Sequence, residues 1–203
     1  MLADINRMLG QTVNVLKDIC SKRRGVNLDT LEKVLVLAIE IAREGREGRR
    51  IGTLFVVSDS EHVMEHSRCL ILDPLRCHSE DDKHIDNPNL RETVKELAQL
   101  DGAFVVSDNG VFISACRYIN ASSRGIDMPL GFGARHMAAA SITKHTNAIA
   151  IVVSESSIVR VFDNGEMIAE ILPELWLLQK YSVHLSGEYS THTGNKMTVL
   201  SKK

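Results

Sequence analysis

Apolar positions along the chain follow two patterns in alternation, one spaced for helices and one in short unbroken runs. Leu31, Val34, Leu35, Ala38 and Ala42 fall on one face of a helix. Asp29 and Glu32 precede that stripe at capping-box spacing, and Gly45 and Gly48 end it. Residues 51–57 are an apolar run bounded by Ser58 and Asp59, which predicts a buried strand. Pro88 marks a second helix start, with Leu90, Val94 and Leu97 running on to Leu100 and delivering the chain to Asp101. Residues 104–106 and 111–118 flank Ser107-Asp108-Asn109-Gly110, a hairpin turn because Asn-Gly accepts positive φ. Asp163-Asn164-Gly165 repeats the device between residues 158–162 and 166–171. A helix from Arg135 to about Lys144 leads into the fully apolar run 148–153.

Helices that alternate with strands, with hairpins added, predict an α/β fold: one domain on a mixed central β-sheet flanked by helices. That domain spans residues 25–185. Ahead of it, Leu2, Ile5, Leu9, Leu16 and Ile19 lie roughly on one helical face. They predict an N-terminal helical arm over residues 1–24, with three roles open to it: packing on its own domain, which is the default, mediating oligomerisation, or following a partner domain. Residues 186–203 turn polar and form a tail expected to fray.

Composition narrows the classes. A length of 203 residues with 44% hydrophobic content suits one core. The net charge of −2 supplies no broad basic field for nucleic acid, and Arg43, Arg46, Arg49 and Arg50 are diluted by Glu44 and Glu47. No apolar stretch approaches the roughly 20 residues of a membrane helix. The first twenty residues lack a signal-peptide core. Cys20, Cys69, Cys77 and Cys116 show no paired spacing, so they read as reduced thiols of a cytoplasmic protein, with Cys116 in the core.

Two islands carry candidate chemistry. Asp101-Gly102-Ala103 opens a hairpin with a carboxylate and two residues small enough for close backbone approach. Gly133-Ala134-Arg135-His136 puts a guanidinium and an imidazole at a helix N-terminus, where anions are favoured. Ser154 and Glu155 end the 148–153 strand, and strand ends are where open α/β sheets bind ligands. Two further clusters are weaker. His62, Glu65 and His66 fit the H-x-x-E-H zinc-peptidase pattern, but on a segment too short for that helix. Cys77, His78, Asp81, Asp82 and His84 lack a repeating ligand spacing and read as a surface loop.

At these residues the chain resembles the diadenylate cyclase (DAC) domain family of bacterial and archaeal cyclic di-AMP synthases. The run DGAFVVSDNGVFISACRYI (101–119) is similar to the family's Asp-Gly-Ala motif and following hairpin. GFGARHMAAASIT (131–143) and AIAIVVSE (148–155) are similar to its Arg-His-Arg motif, helix and next strand. LEKVLVLAIEIAREGREGRRIGTLFVVSD (31–59) resembles its entry helix and first strand. The likeness covers about residues 25–175 in the family's order. The chain departs from the pattern with Ala134 where Thr is usual and Met137 where the motif ends in Arg. The resemblance implies condensation of two ATP into cyclic di-AMP and two pyrophosphates, each 3′-hydroxyl attacking the other nucleotide's α-phosphate. It implies Asp101 as catalytic ligand of a divalent metal, Mg²⁺ or Mn²⁺. Gly102 and Ala103 would admit ribose and base, and Ile119 would meet adenine through its backbone. Gly133, Arg135 and His136 would hold the triphosphate, with Ser154 and Glu155 as further contacts. Each chain would supply one half-site, so two chains would meet face to face. Ala134 and Met137 motivate the alternative, a non-catalytic adenine-nucleotide-binding regulatory module.

Overall fold

Asn27, not Asp29, opens the first helix. A computed structural model describes residues 25–122, 124–128, 131–173, 189–194 and 197–202; the expected arm over 1–24 lies outside them. In helix α1 (Leu28–Glu44) the Asn27 side chain accepts from the N–H groups of Asp29 and Thr30 at 3.0 and 3.3 Å. The cap therefore lies two residues before the predicted box, because an extended Asn oxygen satisfies the orphan donors of the first turn. Asp29 instead pairs with Lys33 one turn on, at 2.7 Å. Gly45 ends the helix as predicted.

Seven strands build one sheet: β1 (Thr53–Val57), β2 (Ser67–Cys69), β3 (Ala103–Val106), β4 (Phe112–Ile119), β5 (Ile149–Val153), β6 (Val159–Asp163) and β7 (Glu166–Ile171). Their order is β2-β4-β3-β1-β5-β6-β7. The β1–β3 pair is parallel and the other pairs are antiparallel, so the sheet is mixed as predicted. Helices α2 (Ser60–Glu65), α3 (Pro88–Leu97) and α4 (Ala134–His145) complete the domain. Within the stretch expected as a fraying tail, β8 (Tyr189–Gly194) and β9 (Met197–Lys202) pair antiparallel.

Side chains alternate across the central strands and divide the core in two. On one face Phe55, Val57, Phe104, Val106, Ile151 and Val153 pack under α1 and α3. Phe55 stacks on Phe104 with centroids 5.1 Å apart, and Phe112 meets both edge-on. On the other face Leu54, Val56, Ala103, Val105, Ala150, Val152 and Phe162 pack against Ala139, Ala140 and Ile142 of α4 and Val63 of α2. Arg91 and Lys95 of α3 hold Glu40 of α1 at 3.0 and 3.3 Å, tying the two outer helices together. Among the described residues no helix is long and apolar enough to cross a membrane.

Strand polarity sets where the site can form. Leu54 pairs with Ala103 and Thr53 with Val153, so the starts of β1 and β3 and the finish of β5 share one edge of the sheet. β4 runs back past the start of β3 and ends at Ile119 on that same edge. The two parallel strands thus present their N-terminal ends there, not the carboxyl ends at which open parallel sheets usually bind ligands. The antiparallel β5 brings its carboxyl end instead.

Candidate functional site

Arg135 sits where the two sequence islands meet. It occupies the first turn of α4, whose N-cap Gly133 is extended and offers no side-chain cap. A helix start without a cap keeps backbone donors and the positive end of the helix dipole for an anion. The guanidinium reaches across the sheet edge, with Nη2 3.5 Å from Asp101 Oδ1 and Nη1 3.3 Å from Glu155 Oε1. Both carboxylates are largely exposed, so these pairs add little to stability. Their value is positional: one cation is centred between two acids from different strands.

Gly52, just before β1, makes that crossing possible. A Cβ there would stand 2.7 Å from Arg135 Nη1 and 3.2 Å from Glu155 Cγ. Nothing in the sequence distinguished this glycine, because the contact joins residues about eighty positions apart. Gly102 has a different reason to lack a side chain. Its φ is +109°, and a Cβ would lie 2.6 Å from the Cys116 carbonyl carbon. Cys116 itself takes a φ of +53° where the β3–β4 register shifts, which is a β-bulge. The bulge presses β4 onto the residue after Asp101, whose Oδ1 accepts from the Gly102 N–H at 2.9 Å. The metal-candidate carboxylate is thereby oriented by its own neighbour.

The remaining predicted residues divide. Ala103 and Ile119 are buried, and Ile119 pairs with Ser67 while its carbonyl accepts from Ala121. Ser154 Oγ accepts from Ser156 N–H and hydroxyl at 3.3 and 2.9 Å, so it shapes the β5–β6 turn beside Glu155. His136 follows Arg135 and is 8% exposed. Its Nε2 lies 3.1 Å from Arg160 Nη1, and Phe132 stands edge-on at 4.8 Å. Burial, then the charges of Arg160 and Arg135, push its pKa down to about 4, so the ring is neutral at pH 7. Sequence reasoning missed Arg160; on a strand that alternates inward and outward it resembled any surface cation.

Neither weaker cluster forms a metal centre. His62 Nδ1 bonds Asp59 at 2.6 Å, and His66 Nδ1 bonds the His62 carbonyl at 2.9 Å. His84 bonds the Asn109 carbonyl, and Ser79 bonds Asp82. Among the described residues no group of three His, Cys, Asp or Glu side chains could hold a metal ion by itself.

Comparisons with known proteins cover the residues that build this site. Residues 40–167, which contain Gly52, Asp101, Arg135 and Glu155, match the family described as DisA bacterial checkpoint controller nucleotide-binding. Over 150 residues, 73% of this chain, the sequence is 46% identical to a protein of Methanocaldococcus jannaschii named diadenylate cyclase. Over 147 residues, 72% of this chain, it is 44% identical to a protein of the same name from Haloferax volcanii. The matches cover 47% and 54% of those two proteins, so the chain spans about half the length of the curated relatives it matches. The crystal structure of a DacA double mutant from Staphylococcus aureus shares the fold, with a TM-score of 0.51 at 21% identity over 76% of this chain and 96% of that one. The ordered motifs, the mixed sheet and a match across most of the described domain agree, and this chain belongs to the DisA bacterial checkpoint controller nucleotide-binding (DAC) family.

Proposed function

We propose that the chain is a diadenylate cyclase, joining two ATP molecules into cyclic di-AMP with release of two pyrophosphates. One observation carries the reading: Arg135 at an uncapped helix start is centred between Asp101 and Glu155 on one sheet edge, over the space left by Gly52. A cation and backbone donors suit a triphosphate, and the flanking acids suit a divalent ion. The name shared by the two archaeal relatives supports the same assignment.

The donor set fits Mg²⁺ or Mn²⁺. Asp101 and Glu155 supply hard carboxylate oxygens from within one guanidinium's span, and Mg²⁺ is commonly held by one or two carboxylates plus substrate phosphates. When bound, such an ion polarises phosphoryl oxygens and lowers the pKa of a coordinated hydroxyl. The protein's own residues do the rest. Arg135 offers a fork of donors to the phosphate oxygens and neutralises charge that builds up in transfer. Asp101, fixed by the Gly102 N–H, faces the incoming 3′-hydroxyl. Gly102, Ala103 and the Ile119 backbone border the ribose and adenine, and Ser154 holds the turn that carries Glu155. In each transfer the 3′-oxygen forms a bond to the partner nucleotide's α-phosphorus, the bond to pyrophosphate breaks, and the hydroxyl proton leaves. Two reciprocal transfers need two half-sites, hence two facing chains.

Incubating the purified chain with ATP and Mg²⁺ or Mn²⁺ tests this reading. A product with two adenylates, formed with two equivalents of pyrophosphate, supports it. Tight ATP binding without product would favour the non-catalytic nucleotide-binding module, for which Ala134 and the half-buried Met137 are the motivating departures.

A further inference from the structure

Arg160 on β6 determines which nitrogen of His136 carries the proton. Its Nη1 faces His136 Nε2 at 3.1 Å. A guanidinium donates from every nitrogen and accepts at none, so Nε2 must accept and the neutral ring must hold its proton on Nδ1. Arg160 cannot easily turn away. Its Nε and Nη2 grip Glu170 Oε1 at 2.8 and 2.7 Å, and its Cζ lies 4.9 Å over the Phe132 ring. The imidazole is wedged in turn, edge-on to Phe132 and to Phe162 with centroids 4.8 and 6.2 Å away.

That arrangement leaves a donor to be accounted for. His136 Nδ1 is buried and has no hydrogen-bond partner among the described residues, and the same is true of Nε on the adjacent Arg135. A buried donor left unpaired is costly, and native interiors seldom tolerate one without a reason. Two such donors on consecutive residues, in the first turn of α4, point to an acceptor supplied from outside the chain. The charged groups around the ring come from three elements. Arg135 and Arg160 disfavour an imidazolium, and Glu170, spent on Arg160, offsets them only in part.

We propose that Arg160 is a positioning residue for nucleotide binding: it locks His136 as the neutral Nδ1–H tautomer, which donates beside Arg135 to a phosphate oxygen. The inference rests on the nucleotide reading above. It assigns the charge to Arg135 and gives His136 direction without charge. Binding through this pair is then insensitive to pH between about 5 and 8, unlike binding through an imidazolium.

Long-range ¹H–¹⁵N spectra of the labelled full chain test it, first ligand-free and then with α,β-methylene-ATP and Mg²⁺, an analogue that cannot release pyrophosphate. The expected result is a protonated Nδ1 and an unprotonated Nε2 throughout that pH range, with the Nδ1–H signal shifting when the analogue binds. An Nε2–H tautomer, or a ring that titrates near pH 6.5, would overturn the proposal without any variant having to fold. So would an Nδ1–H signal unmoved by an analogue that calorimetry shows to be bound, and the nucleotide reading would survive that result. If the analogue does not bind, the nucleotide reading and the phosphate contact fail together, and the ligand-free spectrum alone decides the tautomer lock. Arg160→Met should mix the tautomers, weaken the analogue about tenfold and make its binding pH-dependent, as expected for one lost hydrogen bond. Arg160→Gln, whose amide still donates, should recover most of that loss. A Met variant that folds and binds like the wild type at every pH would overturn the assignment.

Discussion

Asp101 contributes little to the fold and, in the proposed reaction, nearly everything to the chemistry. It is mostly exposed, and its ties are the Gly102 N–H and a loose approach to Arg135. Asparagine keeps the shape and the first of these ties. Asp101→Asn should therefore melt within a degree or two of the wild type while turnover falls on the order of 100-fold, as when a key electrostatic group is lost. More than about a tenth of wild-type activity in the variant would remove Asp101 from its role. His136 shows the converse, a residue whose burial sets a pH dependence for the whole domain. Its pKa is about 4 in the folded state against an ordinary 6.5, so the unfolded chain takes up a proton that the folded chain refuses. Stability from this group is complete above pH 6.5 and is lost as pH falls toward 4, by roughly 3 kcal/mol at most. Denaturant titrations at pH 7 and pH 4.5 should show a larger acid loss in the wild type than in His136→Gln. Equal losses would mean that the ring is not held neutral by its surroundings.

Two glycines at the ends of strands separate what shapes an element from what serves the site. Gly102 lies at the entry to β3, against the backbone of the Cys116 bulge. Neither its φ of +109° nor the 2.6 Å approach can be relieved by turning a side chain. Gly102→Ala should cost about 2 kcal/mol or more, seen as a lower denaturation midpoint. Gly52 lies at the entry to β1 in backbone that any residue can adopt, and a new Cβ would meet the flexible ends of Arg135 and Glu155. Gly52→Ala should leave the midpoint nearly unchanged and reduce ATP affinity about tenfold by displacing the guanidinium. If the two variants behaved alike in both measurements, the division between them would be wrong.

At the scale of the molecule, the mixed sheet gathers four strand ends and one helix start, which in the proposed reaction hold one nucleotide. Two reciprocal transfers on equivalent half-sites call for a two-fold contact between chains. Specific activity should rise with protein concentration in the dilute range. Mixing Asp101→Asn with Arg135→Ala chains probes how the residues are shared. If each half-site takes both residues from one chain, no mixed pair contains an intact half-site and activity stays near zero. Substantial recovery would show that each site combines Asp101 from one chain with Arg135 from the other.

Local pattern alone determined much of this protein. The stripe Leu31 to Ala42 marks a helix because one face must be buried, and the apolar runs around Phe55 and Ile151 mark strands buried on both faces. The Asn-Gly turns specified their hairpins, with Asn164 and Gly165 both at positive φ. The two islands, Asp101 to Ala103 and Gly133 to His136, were legible because each is contiguous. The helix cap lies two residues before the position that the spacing favours, since Asn27 and Asp29 are both good caps and only backbone geometry chooses between them. Pairings between distant residues came from the packing of the fold instead: Gly52 beneath Arg135, Cys116 against Gly102, Arg160 on His136. Periodicity reports which face of an element is buried. It does not report which neighbour lies against that face, because strand order and register are settled by the packing of the whole sheet.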